Sequence, residues 1–161
     1  MLNGKKIALG VTGGIAVYKA VDLVSRLRKQ GAEVRVIMTE HAQQFVTPLT
    51  FKEISGNKVA VSMWDSNQEF NVEHISLANW ADAFVVAPAT ANILAKMANG
   101  IADDLLSTTL LAAQAPIIVC PAMNTGMYQN PITQENIAKL EGYGVTVMPP
   151  AVGYLACGVT G

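Results

Sequence analysis

Charge is scarce in this sequence: only 14% of its 161 residues are Asp, Glu, Lys or Arg. Aromatic residues make up 6%, and there are two histidines and two cysteines. The 11 Lys plus Arg and 12 Asp plus Glu leave a net charge of −1, with no run or stripe of positive charge. That balance excludes the electrostatic footprint a nucleic-acid partner requires. No apolar stretch is long enough to cross a bilayer, so no membrane partner is expected. The histidines, His41 and His74, and the cysteines, Cys120 and Cys157, do not fall at metal-ligand spacing. No metal is therefore expected. The start, Lys5-Lys6 followed by Ile7-Ala8-Leu9-Gly10-Val11, superficially resembles a secretory leader. It breaks at Thr12-Gly13-Gly14 and runs into an amphipathic segment, so a first strand and turn is the better reading. Without a leader, a cytoplasmic location is expected and a disulfide is not.

Apolar residues, by contrast, are abundant, at 51%. For one domain of this length that is more than a core needs, and burial of part of the surface between subunits is expected. The apolar residues alternate between two periodicities. Strand-like runs fall at 6–11, 33–38, 83–87, 117–120 and 145–148. Helical spacing covers 15–30, with apolar Val17, Ala20, Val21, Val24 and Leu27 and with Gly31 as the residue after its end. Further helical segments are expected at 42–55, broken at Pro48, and at 76–80, 90–99, 103–113 and 133–143. The stretch 57–73, which contains Trp64, is irregular and polar and is expected to cross the surface. Strands alternating with helices through short connections predict an α/β fold: a single-domain, doubly wound, flavodoxin-like (Rossmann-like) parallel sheet. Ligands of such sheets bind outside the carboxyl ends of the strands.

Five segments, three of them at such positions, carry possible chemistry. Gly10-Val11-Thr12-Gly13-Gly14-Ile15 follows the first strand. It is either a tight turn that needs glycine or a loop whose backbone approaches a phosphate. It matches neither a dinucleotide fingerprint nor a Walker loop, because Lys19 lies too far along. Pro88-Ala89-Thr90-Ala91-Asn92 follows the third strand, where Thr90 is a helix cap or a phosphate donor. Asp103-Asp104 reads first as a helix cap. Pro121-Ala122-Met123-Asn124-Thr125-Gly126-Met127-Tyr128 follows the fourth strand. Its Asn124 is either a plain cap or an amide handle set among apolar methionines, suited to a ligand carboxylate. Leu155-Ala156-Cys157-Gly158 holds a thiol that is either reactive or buried and inert. His74 precedes a helical turn and is structural or catalytic, whereas His41, in a polar run, is expected to be solvated.

Taken together these segments resemble the flavin-containing cysteine decarboxylases, and most closely the phosphopantothenoylcysteine decarboxylases of coenzyme A biosynthesis. The resemblance runs from Lys6 to Gly158. It includes the His74 segment with Trp80-Ala81-Asp82, and departs mildly where Tyr128 stands for a frequent Trp. It implies a bound FMN held by Gly13, Gly14 and Ile15, by Thr39, by Thr90, Ala91, Asn92 and Ile93, and by Ala122. It implies His74 as an active-site histidine, Asn124 as the amide that holds the substrate carboxylate beside Met123, and Cys157, next to Ala156, as the proton donor on a closing flap. It also implies trimers or multiples of trimers. Many bacterial relatives carry a fused CTP-dependent ligase domain, so residues 1–161 are expected to be an FMN-binding decarboxylase domain, alone or at the front of a longer bifunctional protein.

The implied reaction converts 4′-phosphopantothenoyl-L-cysteine to 4′-phosphopantetheine. Loss of carbon dioxide from a cysteine carboxylate leaves electrons with no sink, and a thiol cannot supply one, so a redox cofactor must create it. Transient oxidation at the carbon bearing sulfur, carbon dioxide loss and re-reduction make a redox-neutral cycle, and the enzyme a carboxy-lyase. The rivals within the fold are a peptidyl-cysteine decarboxylase, which stops before re-reduction, and a flavin prenyltransferase. Retention of Cys157 favours the full cycle. A rival of another class is a non-catalytic regulatory flavoprotein subunit.

Overall fold

The computed structural model of the chain describes residues 1–64 and 73–150. Five strands form one parallel sheet: β1 (Lys6–Val11), β2 (Glu33–Met38), β3 (Ala83–Ala89), β4 (Ile117–Pro121) and β5 (Thr146–Val147). Their order is β2-β1-β3-β4-β5. β3 is therefore central and β1 interior beside it, β1 being in register from Lys6 opposite Glu33 to Val11 opposite Met38 on one side, and from Ile7 opposite Ala83 to Gly10 opposite Val86 on the other. The helices are α1 (Val17–Lys29), α2 (Pro48–Ser55), α3 (Glu73–Trp80), α4 (Ala91–Asn99), α5 (Leu105–Ala112), α6 (Thr125–Gln129) and α7 (Pro131–Gly142), with a 3₁₀ turn at His41–Gln44.

The strands β1, β2 and β3 are buried on both faces over most of their length, as parallel strands covered by crossover helices must be. Alternate side chains feed two separate cores. Leu9 and Val11 of β1 and Val34, Val36 and Met38 of β2 join Val17, Ala20 and Val24 of α1 and Phe51 of α2. Ala8, Ile37, Phe84, Val86 and Val119 join Leu94 of α4, Leu106 of α5 and Ile137 of α7 on the opposite face. Phe51 and Phe84, one in each core, are fully buried, and each such side chain stabilises the fold by about 1.5–3 kcal/mol. The crossover from β1 thus covers one face and the crossover from β3 the other. Between these neighbouring strands the two connections diverge and leave a crevice, which positions the site.

The expected fold is the observed one, a single flavodoxin-like domain. Several boundaries differ from expectation, each for a local reason. The first helix begins at Val17 rather than at residue 15, because residues 12–16 form the loop that leaves β1. β3 runs on through Pro88 to Ala89, where a register shift against β4 carries the chain past the expected end at 87. α3 begins at Glu73, three residues earlier than its apolar pattern showed. α7 begins at Pro131, a proline at the first helical position where its missing N–H costs nothing. The described part of the polar 57–73 stretch is tied to the sheet edge by one parallel bridge, Ala60 with Ile37.

Candidate functional site

At the carboxyl edge of the sheet lies a cavity of about 830 Å³, within the ~300–1,000 Å³ usual for small-molecule sites. Its walls are residues 12–16 after β1, 38–41 after β2, 61–64, 90–93 with Lys96 after β3, 103–106 at the start of α5, and 122–124 with Met127 after β4. Gly13, Gly14, Ile15, Thr39, Thr90, Ala91, Asn92, Ile93, Ala122, Met123 and Asn124 all face this one space. Of the six stretches expected to supply the site, the fold brings these four together, and the other two, at His74 and at Ala156-Cys157, have side chains outside what the structure describes.

The first wall turns on two glycines that differ in kind. A Cβ on Gly13 would lie 2.5 Å from the His41 Cβ, so this residue is small because the next loop packs on it. A Cβ on Gly14 would meet no protein atom within 4 Å. The space beside Gly14 is kept clear of protein and opens on the cavity, which is what close approach of a ligand to the backbone requires. Thr39 shapes the second wall: its hydroxyl accepts the Ala42 N–H at 3.2 Å and so fixes the 3₁₀ turn. His41 is solvent-exposed as expected, yet it also lines the cavity rim, a tertiary placement that its polar sequence neighbours do not signal.

The third and fourth walls are helix starts. The Thr90 hydroxyl accepts the Ile93 N–H at 3.2 Å and caps α4, so the capping reading of Thr90 holds while the residue also faces the cavity. Asn124 likewise caps α6, its Oδ1 accepting the Met127 N–H at 2.8 Å. Capping and ligand handling do not compete at Asn124. With Oδ1 committed to a backbone donor, the orientation of the amide is fixed, and the group it keeps for a ligand is the Nδ2 donor. Asn124 is exposed at the cavity, and Met127 beside it is 48% exposed.

Asp103 and Asp104 divide two tasks. Asp104 caps α5 in a capping box, accepting the Ser107 N–H at 2.8 Å while its own N–H donates to the Ser107 hydroxyl at 3.1 Å. Asp103 accepts from Lys96 at 2.8 Å, and this bond holds its carboxyl below the usual carboxylate range. Lys96 escaped the sequence reading. Its only signal there was a basic residue seven positions before an acid with Gly100 between them. Cys120, on β4, is half-buried away from the cavity lining, and desolvation pushes its thiol up. Met63 and Trp64 form the outer rim. His74 lies in the first turn of α3, with its side chain outside what the structure describes. Ala156 and Cys157 lie outside the described residues. Among the described residues no group of acids, histidines and cysteines could hold a metal ion, and no helix is long and apolar enough to cross a membrane.

The family model described as Flavoprotein matches residues 1–161. The chain is 52% identical over 160 residues to the coenzyme A biosynthesis bifunctional protein CoaBC of Vibrio vulnificus, covering 99% of this chain and 40% of the relative. It is 51% identical over 161 residues to the protein of the same name from Bacillus subtilis, again covering 40% of that relative. The chain thus spans about two fifths of the length of these curated relatives. Among solved structures, the FMN-dependent cysteine decarboxylase SpaF superposes with a TM-score of 0.89 at 32% identity, covering 100% of this chain and 91% of that one. A cysteine-to-serine mutant of PPC decarboxylase complexed with pantothenoylaminoethenethiol superposes with a TM-score of 0.85 at 32% identity, covering 99% and 89%. Fold, cavity and sequence agree, and the chain belongs to the flavoprotein family.

Proposed function

We propose that the chain is an FMN-dependent carboxy-lyase that decarboxylates 4′-phosphopantothenoyl-L-cysteine to 4′-phosphopantetheine in coenzyme A biosynthesis. The observation that carries this reading is the meeting, in one cavity at the switch point of the sheet, of the Gly14 space, the two capped helix starts and the free amide donor of Asn124. The relatives named for coenzyme A biosynthesis favour this substrate over a peptide's terminal cysteine.

The residues fit a flavin mononucleotide. Gly13, Gly14 and Ile15, in the loop that leads into α1, and Ala91 and Asn92, at the start of α4, present backbone amides beside two helix N-termini, which favour a phosphate. Ile15, 53% exposed, and the partly exposed Ala122 offer apolar surface to a ring, while Ile93, 2% exposed, packs in the core behind them. When bound, FMN supplies the reversible two-electron oxidation that makes carbon dioxide loss possible.

The protein's own groups do the rest. Asn124 Nδ2 donates to the substrate carboxylate and holds the reacting carbon in place. His74 acts as base or electrostatic partner as the carboxylate departs. Cys157, on a flap with Ala156, delivers the proton that completes the saturated product. Residues 1–161 would then be a decarboxylase domain working in the cytoplasm as a trimer or a multiple of trimers, joined in the natural protein to a CTP-dependent ligase domain.

Carbon dioxide release from 4′-phosphopantothenoyl-cysteine by the FMN-loaded chain tests this reading. One carbon dioxide per saturated thiol product is expected, and absence of release with flavin bound would overturn it. Cys157→Ser is expected to release carbon dioxide but accumulate the oxidised enethiol, seen by mass spectrometry as a product two hydrogens short. Saturated product at the wild-type rate would remove Cys157 from proton delivery.

A further inference from the structure

We infer that Thr12 is a positioning residue for the cofactor, a single buried hydroxyl that sets the spacing between the two loops facing it. This rests on the FMN reading above. Thr12 is 2% exposed, one of few polar side chains buried in the described residues. Its hydroxyl donates to the Pro88 carbonyl oxygen at 2.6 Å and accepts the Thr90 N–H at 3.1 Å. The donor and the acceptor capacity of this one group are therefore both spent on β3's end, 76 and 78 residues away in sequence.

The position of the bridge gives it its role. Thr12 immediately precedes Gly13-Gly14-Ile15, and Thr90 immediately precedes Ala91-Asn92-Ile93. The hydroxyl thus joins the two cavity walls at the residue before each. These walls lead into helices on opposite faces of the sheet, Val17 of α1 in one core and Ile93 of α4 in the other, with only Ala87 of β3 sharing the core of Val11 and Val17. The bond to the Thr90 N–H also fixes the backbone of a residue whose own hydroxyl caps α4 at the Ile93 N–H. Remove the Thr12 hydroxyl, and a buried carbonyl and a part-buried amide both lose the bond it makes. The cheapest repair is for the loops to part and admit water. That displacement would fall on the amides that face the cofactor and leave the strands in place.

A second residue provides a matched comparison. The Ser55 side chain is also 2% exposed, and its hydroxyl also donates to a carbonyl (Asn57 O, 3.2 Å) and accepts an amide (Asn57 N, 3.1 Å), but it does so away from the cavity. FMN is titrated into the chain of residues 1–161, with flavin fluorescence quenching as the readout, for the wild type and for Thr12→Ser, Thr12→Cys, Thr12→Ala and Ser55→Ala. Flavin-free melting temperatures are measured in parallel. Thr12→Ser should bind FMN within about threefold of wild type, Thr12→Cys less well, and Thr12→Ala at least about tenfold more weakly. Ser55→Ala should lose thermal stability while keeping wild-type FMN affinity. Faster amide exchange at Thr90 in flavin-free Thr12→Ala would mark the parted loops. A flat Ser–Cys–Ala series, or an equal loss of affinity in Ser55→Ala, overturns the inference while leaving FMN binding intact. A wild type that binds no FMN overturns the cofactor reading itself. If Thr12→Ala fails to fold, the comparison of Ser with Cys decides.

Discussion

The two ends of the same five strands are built in opposite ways. At the amino end the backbone closes on itself. The Lys6 N–H donates to the Asp82 carboxylate at 2.8 Å and the Asp82 N–H returns a bond to Lys6 O at 2.7 Å. Glu33 N donates to Lys5 O at 2.8 Å, and Phe84 N to Pro116 O at 2.9 Å. Gly31, at φ +94°, is pressed so closely on Asn3 that any Cβ would overlap it. At the carboxyl end, Gly14 faces open space, Asn124 keeps a free amide donor, and the walls enclose about 830 Å³. Strands of one sheet share their packing and register, so the contrast comes from the connections alone. Where turn residues satisfy one another the end is inert, and where they stop short of doing so the end is a site.

The contrast can be broken from either end, and the largest effect is expected at Asn124. Aspartate caps a helix as well as asparagine does, so Asn124→Asp should keep α6 and bound flavin. It replaces the Nδ2 donor with a charge that faces the substrate carboxylate, and turnover should fall by about a hundredfold or more. Steady-state kinetics beside a flavin absorbance scan check this, and wild-type turnover would take Asn124 out of the site. Next in size, Gly14→Ala should weaken FMN binding by about tenfold while the flavin-free melting temperature stays put, because no protein atom meets the new methyl. A drop in stability without loss of affinity would show that Gly14 serves the turn. At the closed end the signs reverse. Asp82→Ala should cost about 1 kcal/mol of stability in chemical denaturation and leave FMN affinity unchanged.

The smallest effect concerns the Lys96–Asp103 pair on the cavity wall. Asp103 titrates below its ordinary range because Lys96 donates to it. A lowered folded-state value means that the pair's contribution is present above the ordinary carboxylate range and fades as pH falls through the lowered value. Lys96→Met should return the Asp103 titration toward the ordinary range in carboxyl NMR, and an unmoved titration would dismiss the pair.

Much of this was legible in the sequence because it is local. The apolar runs of β1, β2 and β4 announced strands. Thr90, Asp104 and Asn124 each stood directly before a helix and are caps. What stayed hidden depends on distance through space. Nothing near His41 in sequence says that Gly13 packs against it. Thr12 looked like one residue of a glycine loop, and only the sheet order, which sets β1 beside β3, reveals that it spans to Pro88 and Thr90. The start of α3 at Glu73 was hidden because Glu73 and His74 add no apolar periodicity. The family resemblance supplied residue roles that no local pattern distinguishes, above all for Asn124, where cap and ligand amide read alike: the Met127 bond shows the cap and leaves Nδ2 for the proposed ligand role.

The central claim is that the open carboxyl end holds a flavin and the closed amino end holds only the fold. Calorimetric titration of FMN into the wild type, Gly14→Ala and Asp82→Ala tests it in one series. One FMN per chain is expected for the wild type and Asp82→Ala at equal affinity, with binding selectively weakened in Gly14→Ala. Binding that is unaffected by Gly14→Ala, or lost in Asp82→Ala, would contradict it.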